Sequence, residues 1–563
     1  MSLLRASQTG QRAQGAQRRF DTNDAVDFVV VGSGTAGGSV ARELTRLGHD
    51  VVLIEQGKAY TRADFHHDEL GVIFNNQYCN TPPTHVQTWR KSPDEKAEPR
   101  HFLLYATAVG GSSMHYAANY WRFRPGDFNE FSRKGAVRGA AMADWPITYD
   151  DLEPYYTAVE WAIGVSGQAG VDPVEGRRSR PYPLPPLDVT GPGVLLEVAA
   201  KTMGWRALPA PMAIASRPYN GREGCHNCGF CWYFPCEWGA KSGTNFTMVP
   251  EALASGRCEL RTECKVRTIE TDDRGRVTGV VYFDRDRREV RQRARAVFLC
   301  ANGAETPRLL FMSKSNRFPD GLANSSGMVG KHLMFNGNTA GGAEFEHEVN
   351  GWKGAPVTRI VLDTYDLHDQ GHYGGGGFDF RYPFPPLLSA LNMPPDGPQW
   401  GSAFKQTLRR VHNHAAQCWG HTSQLPVATN AVDLDPVAKD SWGLPAIRVT
   451  YREHEADLRL YQYMFDRGIE LLKAAGATRT WGGPPGDDPG VGAHLLGTCR
   501  MGNDPRTSVV NASHRAHDVP NLFMVDGSSF VTSGRGQPTL TIQALAFRAA
   551  DLASQMAKRG ELG

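Results

Sequence analysis

Apolar positions along this chain fall into short unbroken runs rather than long helical stripes. Phe28-Val29-Val30-Val31 is too short for a helix and stops at Gly32, so it reads as a buried strand, and the small and apolar spacing that follows through Leu47 reads as a helix. Val51-Val52-Leu53-Ile54, Val297-Phe298-Leu299-Cys300-Ala301 and Leu522-Phe523-Met524-Val525 have the same character, and the second of these meets a small-residue turn before a helix starting near Thr306. Between about residues 331 and 489 the pattern turns alternating and aromatic-rich, as in Phe378-Asp379-Phe380-Arg381-Tyr382 and Ala446-Ile447-Arg448-Val449-Thr450-Tyr451, which predicts a sheet flooring a pocket. Leu540 to Lys558, rich in Ala and Leu, predicts a closing helix. The whole is α/β at its ends and α+β in its middle.

At 563 residues the chain exceeds what one hydrophobic core usually serves, so two or more joined domains are expected. A formal charge of +2 offers no basic excess for nucleic acid. The Arg-rich stretch Asp284 to Arg295, alternating about Val290, reads as the solvated edge of a hairpin. No apolar run approaches the ~18 residues needed to cross a bilayer, and the polar start over residues 1–24 reads as a mobile arm; Arg18-Arg19 has no hydrophobic segment after it to make an export signal.

Chemistry gathers at the ends of the strands. Gly32-x-Gly34-Thr35-Ala36-Gly37 joins the first strand to its helix, where glycines permit a tight turn and let the backbone and a helix N-terminus approach a pyrophosphate. The second strand ends in Glu55, about where an acid that holds a ribose belongs. Gly110-Gly111-Ser112-Ser113-Met114-His115 could lie against a flat ring, and Asp526-Gly527 ends a further strand with an acid that could approach a ribityl or phosphate group.

These segments, with Trp145-Pro146-Ile147-Thr148-Tyr149, Leu152-Glu153-Pro154-Tyr155-Tyr156 and His494-Leu495-Leu496-Gly497-Thr498-Cys499-Arg500-Met501-Gly502, resemble in order and spacing the glucose–methanol–choline (GMC) oxidoreductase family over nearly the whole chain. The resemblance implies FAD, a Rossmann-like FAD-binding domain from residues 25–125, 220–330 and 490–563, and a discontinuous sheet-based substrate domain from 126–219 and 331–489. It places Val266 at the adenine end, and His494 as the base that takes a hydroxyl proton while a hydride leaves for the flavin. Gln537, in Gly536-Gln537-Pro538-Thr539, stands where the family carries His or Asn. Glutamine can donate the same hydrogen bond from about one bond length further out, or it could cap the following helix. His115 is assigned to flavin contact, because some pyranose-oxidising relatives attach the flavin through a histidine in a similar loop and others carry the histidine without the bond.

Cys225-x-x-Cys228-x-x-Cys231-x-x-x-x-Cys236 puts four thiols within reach of one inorganic centre. Steps of three residues resemble iron–sulfur runs, and the family's bacterial sugar dehydrogenases carry a cysteine-rich insertion with such a cluster, at a spacing this run does not match exactly; a zinc site, a disulfide or plain structural thiols remain as alternatives. The expectation is thus a dehydrogenase of a sugar, glycoside or sugar acid, passing electrons to a quinone or cytochrome, with or without a small partner subunit. It would be cytoplasmic, or periplasmic by export with that partner. The rivals are an oxidase of a sterol, long-chain alcohol or pyranose, a non-oxidative lyase, and an electron-relay subunit.

Overall fold

The structure is a computed structural model, and it describes residues 18–382, 385–488, 490 and 492–562. Three sheets organise it. The first has the order Cys258–Arg261, Val51–Ile54, Val26–Val31, Glu289–Leu299, Val277–Phe283, Lys265–Thr271, with Leu522–Met524 also pairing Glu289–Leu299. Its first four strands and Leu522–Met524 run parallel, and the remaining two are antiparallel. Parallel strands covered on both faces need unbroken apolar sequence, and Val29, Val30, Val51, Val52, Leu53, Val297, Phe298, Leu299 and Phe523 are fully buried. Helix Thr35–Arg46 packs on strands Val26–Val31 and Val51–Ile54, and the C-terminal helix Thr539–Lys558 packs on that helix in turn.

The second sheet, Arg479–Gly482, Gly337–Glu344, Ala415–Thr422, Gly376–Arg381, Arg359–Val361, Ala207–Pro209, is antiparallel throughout. Phe378, Phe380, Ala416 and Cys418 share a core with Leu460, Met464, Leu471 and Leu472 of helix Glu455–Ala474 and with Leu196 of helix Gly191–Thr202. Side chains alternate along a strand, so Asp379, Arg381, Trp419 and His421 fall on the opposite face. The register sets Asn338 opposite His421 and Asp379 opposite Trp419.

Ala446–Thr450 departs from expectation. It pairs in parallel with Gln87–Arg90 in a third sheet, and its Ile447 and Val449 join Phe102, Phe335 and Tyr451 in a separate core rather than flooring the cleft. Alternation identifies a strand with one buried face and leaves its partner open. The Arg-rich stretch is the turn and outer part of the hairpin Val277–Phe283/Glu289–Leu299. Of the expected N-terminal arm, residues 1–17 lie outside the described residues, and the rest is no mobile arm: Arg18 pairs with Asp50 at 3.1 Å, and the Phe20 amide donates to Glu259 at 2.8 Å.

Gly37 shows how tightly the first turn is built, since a Cβ there would lie 1.7 Å from the Gly32 carbonyl oxygen. Gly37→Ala is expected to cost about 3 kcal/mol or more, read as a lowered denaturation midpoint and a reduced flavin-to-protein ratio in the purified variant.

Candidate active site

Strands Val26–Val31 and Glu289–Leu299 end side by side, with Val31 paired to Leu299, so the turns after them open at one edge of the sheet. Gly32 adopts φ +93°, a left-handed conformation that favours glycine, and a Cβ there would meet the Cys300 carbonyl oxygen at 2.6 Å. Gly34 caps the following helix with no side-chain bond, which leaves the first-turn N–H groups facing outward. A Cβ on Gly111 would come within 2.8 Å of Gly34 Cα, so the two glycine turns nearly touch.

Between these turns and the second sheet lies a cleft of about 610 Å³. Gly32, Gly34, Thr35, Ala36, Glu55, Gly111, Ser112, His115, Val266, Asp526, Gly527, His494, Gln537, Pro538 and Thr539 all line it. Gly37 and Gly110 stand behind the lining, where Gly37 packs helix on turn and Gly110 takes φ +99°. Glu55 is buried and accepts from the Ser33 amide at 3.0 Å, the Ser33 hydroxyl at 2.7 Å and the Gly57 amide at 2.9 Å. Asp526 accepts from the Asn302 amide at 2.9 Å, the Thr306 hydroxyl at 2.7 Å and the Ser528 amide at 2.7 Å, so it joins the helix after one strand to the turn after another. His115 lies with Nε2 3.8 Å from Cys79 Sγ, and burial, with Lys241 nearby, pushes its pKa down to about 3, which keeps the ring neutral.

His494 has a tautomer set by its neighbour. Its Nδ1 lies 3.0 Å from Asn336 Oδ1, while Asn336 Nδ2 donates to the carbonyls of Ser533 at 3.0 Å, Gly534 at 3.3 Å and Thr422 at 3.4 Å. With the nitrogen end of that amide facing three carbonyls, its oxygen end must accept from His494 Nδ1–H. Nε2 is left with its lone pair, as a base requires. Burial, and to a lesser degree His421, lowers the His494 pKa to about 4.

Pattern reading missed Asn336, Asn338 and His421 as site residues. His421 Nε2 lies 2.6 Å from Asp379 Oδ2, and Arg381 forms an ion pair with the same carboxylate. The Arg381 guanidinium stands over the rings of Trp232, at 5.1 Å, and Trp419, at 4.9 Å, and all three line the cleft. The available signal was the alternation that sets Asp379 and Arg381 apart from Phe378 and Phe380; nothing local to His421 or Asn336 marks either one.

Comparison with known proteins bears on the whole chain. The GMC oxidoreductase family matches residues 26–335 with its N-terminal model and 426–546 with its C-terminal one. The chain belongs to this GMC family. It is 36% identical to 2-methyl-1,2-propanediol dehydrogenase of Mycolicibacterium austroafricanum, over 94% of this chain and 96% of that one. It is 29% identical to the fructose dehydrogenase large subunit of Gluconobacter japonicus, over 95% and 98%. A crystal structure of formate oxidase superposes with a TM-score of 0.67 at 15% identity, covering 97% of this chain and all of that one, which shows the shared fold.

This GMC oxidoreductase is therefore an FAD enzyme acting on CH–OH donors, and its cleft fits that cofactor. The glycine turns leave a backbone cradle, and both amide atoms of Asn119, a buried lining residue, lack a partner among the described residues. The four clustered cysteines do not fit an inorganic centre as folded. They line a second cavity of about 20 Å³, room for about one water and too little for an iron–sulfur cluster. Among the described residues no three His, Cys, Asp or Glu side chains converge on a zinc position, and all four thiols are free. The segment is braced instead by Lys241, whose Nζ donates to the carbonyls of Cys231 and Phe234, both at 2.7 Å, and of Tyr116 at 2.9 Å. Spacing placed the thiols together, and the backbone between them turned them only partly inward.

Asn336→Leu should retain flavin and lower kcat by about 10- to 100-fold, because the tautomer of His494 is then unset; steady-state kinetics on the flavin-loaded variant measure this. Cys228 is the exposed thiol of the four, and brief alkylation of the native protein is expected to label it first, as peptide mass mapping would show. Protection of all four, together with bound iron, would mean the segment rearranges around a cluster.

Proposed function

We propose that this enzyme is a dehydrogenase of a polyol, sugar or sugar acid, with His494 as its base and an external quinone or cytochrome as electron acceptor. The observation that carries the reading is the His494 imidazole, fixed with Nδ1–H on Asn336 and with the Nε2 lone pair left free, in a cleft that Gln537 also lines. FAD, when bound, supplies the hydride acceptor. The chain's own residues bind the alcohol, orient it and move its proton. His494 Nε2 takes the hydroxyl proton as the C–H bond is given up, and its lowered pKa keeps that lone pair available at neutral pH.

The cleft walls support a small, oxygen-rich donor. Trp232, Tyr233, Trp419 and Phe335 offer apolar ring faces, with Asn338, Gln424 and Glu453 set among them as polar groups. Such a mixture of ring faces and polar groups suits carbon skeletons that carry several hydroxyls better than a sterol or a long alkyl chain. The names of the two relatives, a diol dehydrogenase and a fructose dehydrogenase subunit, support the same class and an acceptor other than oxygen. The second of these is a large subunit, which supports a partner for this chain as well. Among the described residues no helix is long and apolar enough to cross a membrane.

His494→Ala should keep its flavin and lose about 10²- to 10⁴-fold in kcat; unchanged flavin bleaching by a diol or hexose under argon would refute the assignment. Dye or quinone reduction should outpace oxygen consumption on the same substrate. The histidine's folded pKa is depressed to about 4, so it stays an effective base well below its ordinary value. kcat/KM is expected to hold down to about pH 5 and to fall about tenfold per unit below pH 4, in a stopped-flow pH profile.

A further inference from the structure

Beside His494 the second polar group is Gln537, and an amide presents either end equally well unless a neighbour decides. His421 is that neighbour. Gln537 Nε2 lies 3.2 Å from His421 Nδ1. On the far side of the ring, Nε2 is 2.6 Å from Asp379 Oδ2, a separation that requires a hydrogen between them. In the neutral ring that hydrogen sits on Nε2, so Nδ1 keeps a lone pair and Gln537 must turn its NH2 end toward it. One N–H of the amide is then held on the imidazole. The other is free to donate to a substrate oxygen in the cleft that Gln537 and His494 both line.

We propose that His421 is a positioning residue for the reaction: Asp379 fixes its tautomer, its Nδ1 holds the Gln537 amide, and Gln537 thereby donates to the substrate oxygen that loses its proton to His494. This rests on the reading of His494 as the base. It also accounts for glutamine at position 537, because an asparagine would fall about one bond length short of His421.

Packing enforces the arrangement. His421 is 2% and Asp379 0% exposed. Gly536 takes φ +112°, and a Cβ there would meet His421 Cβ at 2.6 Å, so the loop carrying Gln537 rests directly on the histidine. The Trp121 ring meets the imidazole edge-on at 5.5 Å. The charged and titratable groups facing His421 are Asp379 and Arg381 from the adjacent strand, with Arg381 NH2 3.0 Å from Nε2, and His494 across the cleft; Asn338 and Gln537 are the neutral polar groups. Burial, opposed by Asp379 and aided by Arg381, lowers the pKa of His421 and favours the neutral ring. Asn338 Oδ1 lies 3.0 Å from the same Nδ1. That oxygen can accept only from a protonated Nδ1, and with the ring neutral the Asn338 amide is held instead by the 3.3 Å bond from Nδ2 to the Asn336 carbonyl. Protonation would thus transfer Nδ1 from Gln537 to Asn338 and release the amide.

The test uses flavin-loaded full-length enzyme carrying ¹⁵N-labelled histidine. Wild type at neutral pH should show His421 with its hydrogen on Nε2 and a hydrogen-bonded lone pair on Nδ1, and Gln537→Ala should shift the Nδ1 resonance toward the unbonded position. A proton on Nδ1 at neutral pH, or no change in Gln537→Ala, would overturn the proposal whatever the substrate proves to be. In turnover, His421→Phe and Gln537→Ala should each lower kcat by about 10- to 100-fold with a smaller change in KM, and the double variant should be no worse than about threefold below the weaker single one. Losses that multiply would show that the two residues act independently and would overturn it. Asp379→Asn serves if His421→Phe loses its flavin: it should weaken kcat and move the acid limb of the pH profile, and a wild-type profile would count against the proposal. Full activity in His494→Ala would instead sink the assignment of the base while leaving the resonance measurements interpretable.

Discussion

Parallel pairing of Val26–Val31 with Glu289–Leu299 is the contact on which the rest of the structure depends. With Val31 opposite Leu299, Gly32 and Cys300 are forced side by side, and the two following helices start from the same edge of the sheet. Only glycine tolerates that approach, at φ +93° with a carbonyl where a side chain would be. Leu522–Met524 pairs with the same long strand, so the Asp526 turn arrives at that edge too, and its carboxylate ties the turn to the Asn302 amide. One register thereby assembles a cofactor cradle from stretches of chain more than two hundred residues apart.

Chemistry is added from the opposite side by a sheet with a different logic. Antiparallel strands with one face under helices leave the other face for polar residues. On that face Asp379, Arg381, Trp419, His421 and Asn338 meet the loops that carry His494 and Gln537. Burial then does more than pack. It holds the imidazoles of His494 and His421 neutral, and with their Nδ1 and Nε2 partners fixed by Asn336 and Asp379, each ring has a single lone pair with a defined direction.

Gln537 reaches this site because its loop is clamped from behind. Arg535 is buried and donates to Asp127 at 2.8 Å and to the Tyr365 carbonyl at 2.9 Å, and it pairs with Glu130. Removing one partner would strand a buried charge, so the network specifies where the loop sits more than it stabilises the fold. A reacting centre that must hold two polar groups to within a fraction of an ångström needs such a support on each side.

The sequence by itself determined the strands Val26–Val31, Val51–Ile54, Val297–Leu299 and Leu522–Met524, the glycine turn and the C-terminal helix, and its family motif singled out His494 and Gln537, which line one cleft. Those signals are local: an unbroken apolar run, glycines at fixed steps, a family motif. Only the tertiary structure decided that Ala446–Thr450 pairs with Gln87–Arg90 away from the cleft, that the four cysteines share a cavity too small for a cluster, and that Asn336 and His421 belong to the site. Each of these depends on which strand lies beside which, and on where an amide or a thiol points once it is there. A period of two records that a side chain faces inward, but the group it meets is set by a contact between residues 42 to 158 positions apart, about which neither segment carries any local mark.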